Sequence, residues 1–269
     1  METIKIIVAA HLDYKMPADQ MYQPVFVGAA LHKDLASALS AKGYLRDDSG
    51  DNISDKNSSY SELTGLYWAW KNLDADYLGL VHYRRHFKGF HGGPKAVMSE
   101  KELRSLLHNY RIIVPEKRRY YIESLYSHYE HTHYAEHLKK AREILAQKCP
   151  EYLPSYDHVM RRSWGYMFNM MVMERPMLNS YCGWLFPILY ELEREIGTGG
   201  LTGYQSRYCG RVAEILFNVW LDDQIFIGKI KPREVCEQPL VYLGKVDWVR
   251  KIRSFLRAKF LHEKYDSSF

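Results

Sequence analysis

His82, Tyr83, Arg84 and Arg85 form an unbroken row of charged or hydrogen-bonding side chains, with His86 behind them, directly after the apolar run YLGLV at 77–81. A run of that length suits a central strand, and in open α/β sheets ligands bind beyond the carboxyl ends of the strands. Such a row at such an end reads as a binding site. The formal net charge of +5 favours an anionic ligand, whether nucleotide, phosphate or acidic lipid, without choosing among them. A second polar exit follows the apolar run KIIVAA at 5–10. There His11, Asp13, Tyr14 and Lys15 stand where a nucleotide could sit, or where a strand merely gives way to a loop.

A different chemistry gathers further along. His128, His131, His133 and His137 fall within ten residues, mixed with Tyr126, Tyr129 and Tyr134. On a helix, the step from His133 to His137 puts both imidazoles on one face. The zinc-protease signature needs Glu directly after the first His, and Tyr134 stands there, so that reading fails. A structural zinc, a solvated helix face and a polar, aromatic wall of a sugar or phosphate pocket remain open, with the pocket wall preferred. Asn169 lies inside the apolar run YMFNMMVM at 166–173. A buried Asn needs partners, so it is either a ligand contact or a tie to a neighbouring loop. Asp47, Asp48, Asp51 and Asp55 crowd the turn-rich stretch 45–57, but their spacing departs from a calcium loop, which also needs a late Glu. The Gly-rich stretch 87–96 lacks the ending of a P-loop and the setting of a dinucleotide fingerprint.

The elements that carry these groups alternate strand and helix. Ser59 and Glu62 have capping-box spacing ahead of a helical face of Leu63, Leu66, Tyr67 and Trp70, which delivers the chain through a turn to the 77–81 strand. Residues 5–10 predict the first strand of a parallel sheet, and 22–28 a second extended piece. Ser99 and Glu102 repeat the capping-box spacing for a helix over 99–109, and RIIVP at 111–115 reads as a strand. Residues 166–173 predict another strand. Pro176 suits the first turn of a helix through Tyr181, Trp184, Leu185, Ile188, Leu189 and Leu192, with Gly197 just past its end. A further helix carries Arg207, Arg211 and Glu214 among apolar residues, and Arg211 and Glu214, three apart, can pair on its surface.

At 269 residues the chain makes one large α/β domain or two small ones. Its 22 tyrosines raise the aromatic share to 14%, which suits a sugar-binding cleft or interface, or an unusually aromatic core. The four cysteines form no CxxC pair, and Cys182 and Cys209 sit in apolar helical patterns, so they read as buried thiols of a reducing compartment. The first apolar run is too short for a signal peptide, and no stretch approaches a membrane span. A cytoplasmic protein is expected, peripheral to a membrane if the tail holds it there. Residues 244–264 place Trp248, Ile252, Phe255, Leu256 and Phe260 at helical spacing against Arg250, Lys251, Arg253, Arg257 and Lys259. That composition suits an interfacial helix on an anionic membrane, or packing against the domain. Basic residues are otherwise spread along the chain and no nucleic-acid motif is present, so nucleic acid is not an expected partner.

Several stretches in matching order resemble one family: GDNISDKN, ELTGLYWAWKN, YLGLVHYRRHF, YIESLYSHYEHTHY, MFNMMVM with SYCGWLFPIL, and YQSRYCGRVAEILFNVWL. The set is similar to the DUF4422 family of bacterial capsular and exopolysaccharide glycosyltransferases, some assigned as galactofuranosyltransferases. HYRR and GDNIS are its specific matches. The resemblance implies a GT-A-like α/β fold over 1–243, with a mostly parallel central sheet flanked by helices and the amphipathic tail at 244–269 appended. It implies a UDP-sugar donor, of galactose or galactofuranose, and a lipid-linked glycan acceptor at the inner membrane face. Many GT-A enzymes hold a divalent metal with Asp-x-Asp at this strand end. Here His82-Tyr83-Arg84-Arg85 stands there instead, so Arg84 and Arg85 are expected to neutralise the diphosphate directly and no metal cofactor is expected, though magnesium or manganese stays open. The donor set implied is Ala10, His11, Asp51, Asn52, Lys56, Asn57, His82, Tyr83, Arg84 and Arg85. The acceptor set is Tyr126, His128, His131, His133, Asn169, Gln205 and Arg207, with Gln205 and Arg207 open to either substrate. Catalysis falls to Arg84 on the leaving group and to a carboxylate base. Glu214 is the first candidate, with Asp51 and Asp157 competing, and pairing of Glu214 with Arg207 or Arg211 is the structural alternative. A non-catalytic carbohydrate- or nucleotide-binding subunit of a polysaccharide assembly complex is the second functional reading.

Overall fold

The computed structural model describes residues 2–197, 199, 201 and 203–243. The tail at 244–269, with its expected amphipathic helix, lies outside the described residues. The described residues form two compact units, one of 2–116, 168–183 and 230–243, the other of 117–167 and 184–229 plus the described loop residues between.

The first unit is built on a mixed sheet. Along its main path the strands run Val235–Gln238, Ile112–Pro115, Met171–Glu174, Tyr77–His82, Ile4–Ala10, Tyr22–Phe26 and Leu45–Arg46. All but Met171–Glu174 point the same way. Ile4–Ala10 and Tyr77–His82 are buried almost throughout, as parallel strands covered on both faces must be. Ile6 and Val8 pack with Leu103 and Leu107 of the helix Glu100–Leu107. On the opposite face Gly65 brings the helix Leu63–Asn72 down on the sheet, since a Cβ there would lie 2.9 Å from Val27 and 3.4 Å from Ile7. Gly79 does the same within the sheet, where a Cβ would meet Val172 at 2.8 Å and the Met171 carbonyl at 2.9 Å. The expected box of Ser99 and Glu102 forms at the Glu100–Leu107 N-terminus.

Two local expectations for this unit fail. Ser59 and Glu62 make no capping box: Ser61 takes φ 52, which breaks the chain between Asn57–Tyr60 and Leu63–Asn72, and Ser59 is buried. Glu62 instead accepts a hydrogen bond from the Asn169 amide at 2.6 Å. The strand expected over 166–173 begins only at Met171, because Phe168 and Asn169 have φ 76 and 51 and cannot continue a ladder.

The second unit is helical: Leu125–Thr132, Glu136–Lys148, Leu153–Arg161, Tyr208–Phe226 and the later part of Arg175–Ile196, with a ribbon of Arg118–Arg119 and Trp164–Gly165. Pro176 falls in the first turn of Arg175–Ile196, and Gly197, φ 67, follows its end as expected. Tyr208–Phe226 is buried along most of its length. Asn218 is buried with it and clamps both the N–H and the carbonyl of Tyr166, each at 2.8 Å. His133 and His137 do not share a helix, since the chain turns extended at His133 and restarts at Glu136. Tyr129 bridges them, its ring 5.0 Å from His133 and its hydroxyl 3.0 Å from His137 Nδ1. All four cysteines are buried and none is in a disulfide, and burial pushes the Cys182 thiol up, out of reach of ionisation.

Candidate functional site

The carboxyl end of the first unit's sheet collects the polar row. Ala10 closes the first strand, buried, with its carbonyl taken by the Val27 N–H at 3.0 Å. His11 leaves it exposed, its ring edge-on to Tyr83 at 5.0 Å and its Nε2 3.1 Å from the Tyr14 hydroxyl. Tyr14 and Tyr83 stack at 3.7 Å. Burial first, and then Tyr83, pushes the Tyr14 phenol far up, so it stays a neutral donor. The next strand end is tied to this wall by the Tyr83 N–H, which donates to the Ala9 carbonyl at 3.2 Å.

Arg84 and Arg85 follow. The Arg84 guanidinium lies over Tyr83 at 5.1 Å, and Arg85 over Phe168 at 4.5 Å and Tyr242 at 5.7 Å. Neither forms an ion pair with a described residue, and Arg85 Nε is buried without a hydrogen bond. Aromatic rings therefore carry these cations and leave their N–H forks for an anion. His82 donates from Nε2 to the Phe168 carbonyl at 2.6 Å, and burial holds its pKa below the usual imidazole value against the pull of Glu62. His86 points the other way, fully buried beside Tyr22 and held neutral by burial with its pKa lowered to about 4.

The Glu62–Asn169 bond and the left-handed pair Phe168–Asn169 lie beside this row. In the sequence Asn169 stands out, as an acceptor contact, while Glu62 shows only the spacing of a cap. The conspicuous polar residue in an apolar run was the available signal.

The loop GDNISDKN contributes differently from expectation. Asp47, buried just before it, accepts the N–H groups of Gly28 and Ala29 at 2.9 and 3.0 Å. Asn52 folds on its own loop, donating to the Gly50 carbonyl at 2.9 Å and accepting from the Ser54 N–H at 3.2 Å. Asn57 spends its amide on the Ser61 carbonyl at 2.8 Å and Thr64 Oγ1 at 3.0 Å. Lys56 is half-buried in the single turn Ser54–Lys56. Asp51 stands apart from the row. It accepts from Tyr67 at 3.0 Å and pairs with Lys71 at 3.8 Å, towards the C-terminus of Leu63–Asn72, which leads into the amino end of the central strand.

The second unit holds the histidine set. Glu123, 6% exposed, accepts from His128 Nδ1 and His131 Nδ1, each at 2.8 Å. Burial outweighs that carboxylate at His128 and lowers its pKa to about 4. Tyr120 lies against His128 at 4.2 Å with Arg118 over its ring at 5.1 Å, and burial pushes its phenol up to about 12. His133 Nδ1 meets Gln205 Oε1 at 3.2 Å, and burial with the nearby Arg211 holds its pKa well below the usual value. Arg211 stacks on Tyr204 at 4.1 Å and bonds the Tyr204 carbonyl. Glu214 is half-buried one turn further on, close enough to raise the Tyr120 phenol. Tyr126 is half-buried, Arg207 is exposed, and Asp157 is committed to Arg142 at 2.7–2.8 Å. Glu123, Arg118 and Tyr204 were not among the expected residues. An acid five residues before a histidine carries no pattern of its own.

Among the described residues no three His, Cys, Asp or Glu side chains gather as a metal-ligand set, and no helix is long and apolar enough to cross a membrane. No curated protein matches the chain. Among solved structures it is similar to the apo structure of the WbbM bifunctional glycosyltransferase, with a TM-score of 0.79 and 29% identity over 90% of this chain and 46% of that one. The chain thus spans less than half the length of that protein. The model of the family described as "Domain of unknown function (DUF4422)" matches residues 5–225, well over half of the sequence, and the chain belongs to that family.

Proposed function

We propose that the chain is a glycosyltransferase that moves a sugar, galactofuranose or galactose, from a UDP donor to a lipid-linked glycan in capsule, exopolysaccharide or O-antigen synthesis, at the cytoplasmic face of the membrane. The observation that carries this reading is the pair Arg84 and Arg85 at the carboxyl end of the central strand, with no ion pair among the described residues. The likeness to a glycosyltransferase structure supports the reaction class.

In this reading the two guanidinium groups take the donor diphosphate in charge-assisted hydrogen bonds. As the sugar–oxygen bond breaks, negative charge grows on the departing nucleoside diphosphate, and the same cations stabilise it. They act in place of a divalent ion, so donor binding is metal-independent. The stacked Tyr14–Tyr83 wall with His11 offers flat faces to the nucleoside. On the other flank the Phe168 carbonyl orients His82, and Glu62 holds the neighbouring Asn169. Acceptor recognition falls to the His128, His131, His133 and Gln205 region, where burial keeps His128 and His133 neutral and their rings can accept or donate to sugar hydroxyls. Glu214 is the proposed base. Asp157 is engaged in a surface ion pair, and Asp51 stands apart from the arginine row.

The test is slow hydrolysis of UDP-galactose and UDP-galactofuranose by purified protein. Turnover that disappears in Arg84→Ala supports the enzyme. Tight UDP-sugar binding with no turnover, alone or with glycan acceptors, contradicts it and favours a binding subunit.

A further inference from the structure

Tyr121 and Ile122 are 83% and 73% exposed, an adjacent aromatic and aliphatic pair turned out to water. Tyr121 has φ 55, and the Ile122 N–H donates to the Tyr120 carbonyl at 2.6 Å. A bond to the second residue back, around a positive φ, is the rare and strained hand of the γ-turn. A bulky side chain resists that backbone, so the fold must impose it. The flanks are tied down accordingly. The Tyr120 N–H bonds the Ser163 carbonyl and the Leu125 N–H the Arg162 carbonyl, both at 2.7 Å, and Glu123 is locked between two histidines.

The charge around this tip is cationic. Lys117, Arg118 and Arg119 lead into it, and Arg161 lies next to the Arg162–Ser163 segment that pins it. Lys117 and Arg118 rest over Trp164 and Tyr120, while Arg119 and Arg161 are exposed. Of the nearby acids, Glu116 is exposed, Glu123 is taken by His128 and His131, Asp222 by Arg162, and Glu214 is half-buried near Tyr120, so the cations outnumber the acids left to balance them. Two side chains fall well short of the roughly 800 Å² per partner of a standard protein interface. They suit a bilayer interface, with the Tyr ring at headgroup level, the Ile among the first acyl carbons and the cations on anionic headgroups. We infer that the Tyr121–Ile122 turn is a membrane-contacting tip that seats the second unit on an anionic lipid surface.

The contact is read by co-sedimentation of the full chain with vesicles of phosphatidylcholine alone and of phosphatidylcholine with phosphatidylglycerol, so the outcome does not depend on any enzymatic activity. The expected result is partition onto the phosphatidylglycerol vesicles, lowered about tenfold by Tyr121→Ser with Ile122→Ser and about fivefold by Arg119→Gln. Thermal melts of both variants should match the parent, since the residues are exposed. Unchanged partition of the double variant would put any lipid contact elsewhere, on 244–269 for instance, and overturn the inference. So would equal binding to both vesicle types, or none to either.

Discussion

Arg84 and Arg85 are cations supported by aromatic faces instead of carboxylates, and that choice fixes what each substitution should do. Arg84→Ala or Arg85→Ala is expected to weaken UDP binding by about ten- to a hundredfold in calorimetry, the worth of one charge-assisted contact. Arg84→Lys should recover only part of it, because an ammonium cannot make the bidentate fork. Beside them, Asn169 combines a buried amide bond to Glu62 with φ 51. Asn169→Gly keeps the backbone and loses the bond, whereas Asn169→Ala loses both. The alanine variant should therefore unfold about 1 kcal/mol more easily in urea than the glycine variant. Equal stabilities would mean that the left-handed backbone carries no cost. The arginine row was legible because it is contiguous and follows an apolar strand. The Glu62 contact was not, since 107 residues separate its partners.

Two identical spacings met different fates in the local elements. Ser99 and Glu102 make the capping box, and Glu102 also accepts the N–H groups of Phe90 and His91 at 2.7 and 3.0 Å, stapling the Gly-rich loop to the helix. Ser59 and Glu62 make none, because Ser61 bends the chain and a long-range amide claims the carboxylate. Spacing states what is locally available, and tertiary partners decide. Glu102→Ala should cost about 0.5–2 kcal/mol for the cap. It should also release the loop, seen as lost hydrogen-exchange protection at Phe90 and His91 with little change elsewhere. Those backbone N–H bonds and Ser99 hold the Glu102 pKa down at about 2, so its contribution is full above pH 4.5 and fades towards pH 2. Periodicity found the long helices for the same reason that it missed the break at His133. Burial of Tyr129 and His137 is preserved across the interruption, so the pattern alone reads as continuous.

The whole molecule carries several histidines buried in neutral form, and this sets its response to acid. His86, His128 and His137 have pKa values lowered by burial from 6.5 to about 4. Unfolding releases them to bind protons, so their contribution is full above pH 6.5 and is lost as pH falls through 4, at up to about 1.4 kcal/mol per pH unit for each site. The urea midpoint should drop between pH 7 and pH 5, and His86→Phe should flatten that slope. A midpoint constant over this range would contradict the burial assignment. The strands of the first unit were readable from their apolar runs. The division into two units was not, because the boundary falls inside the uninterrupted helix Arg175–Ile196 and no linker composition marks it. The central claim is that arginines replace a metal at the donor diphosphate. It is tested most directly by UDP-sugar turnover in excess EDTA. The account predicts that turnover persists in EDTA and is lost in Arg84→Ala. Turnover abolished by EDTA and restored by manganese would contradict it.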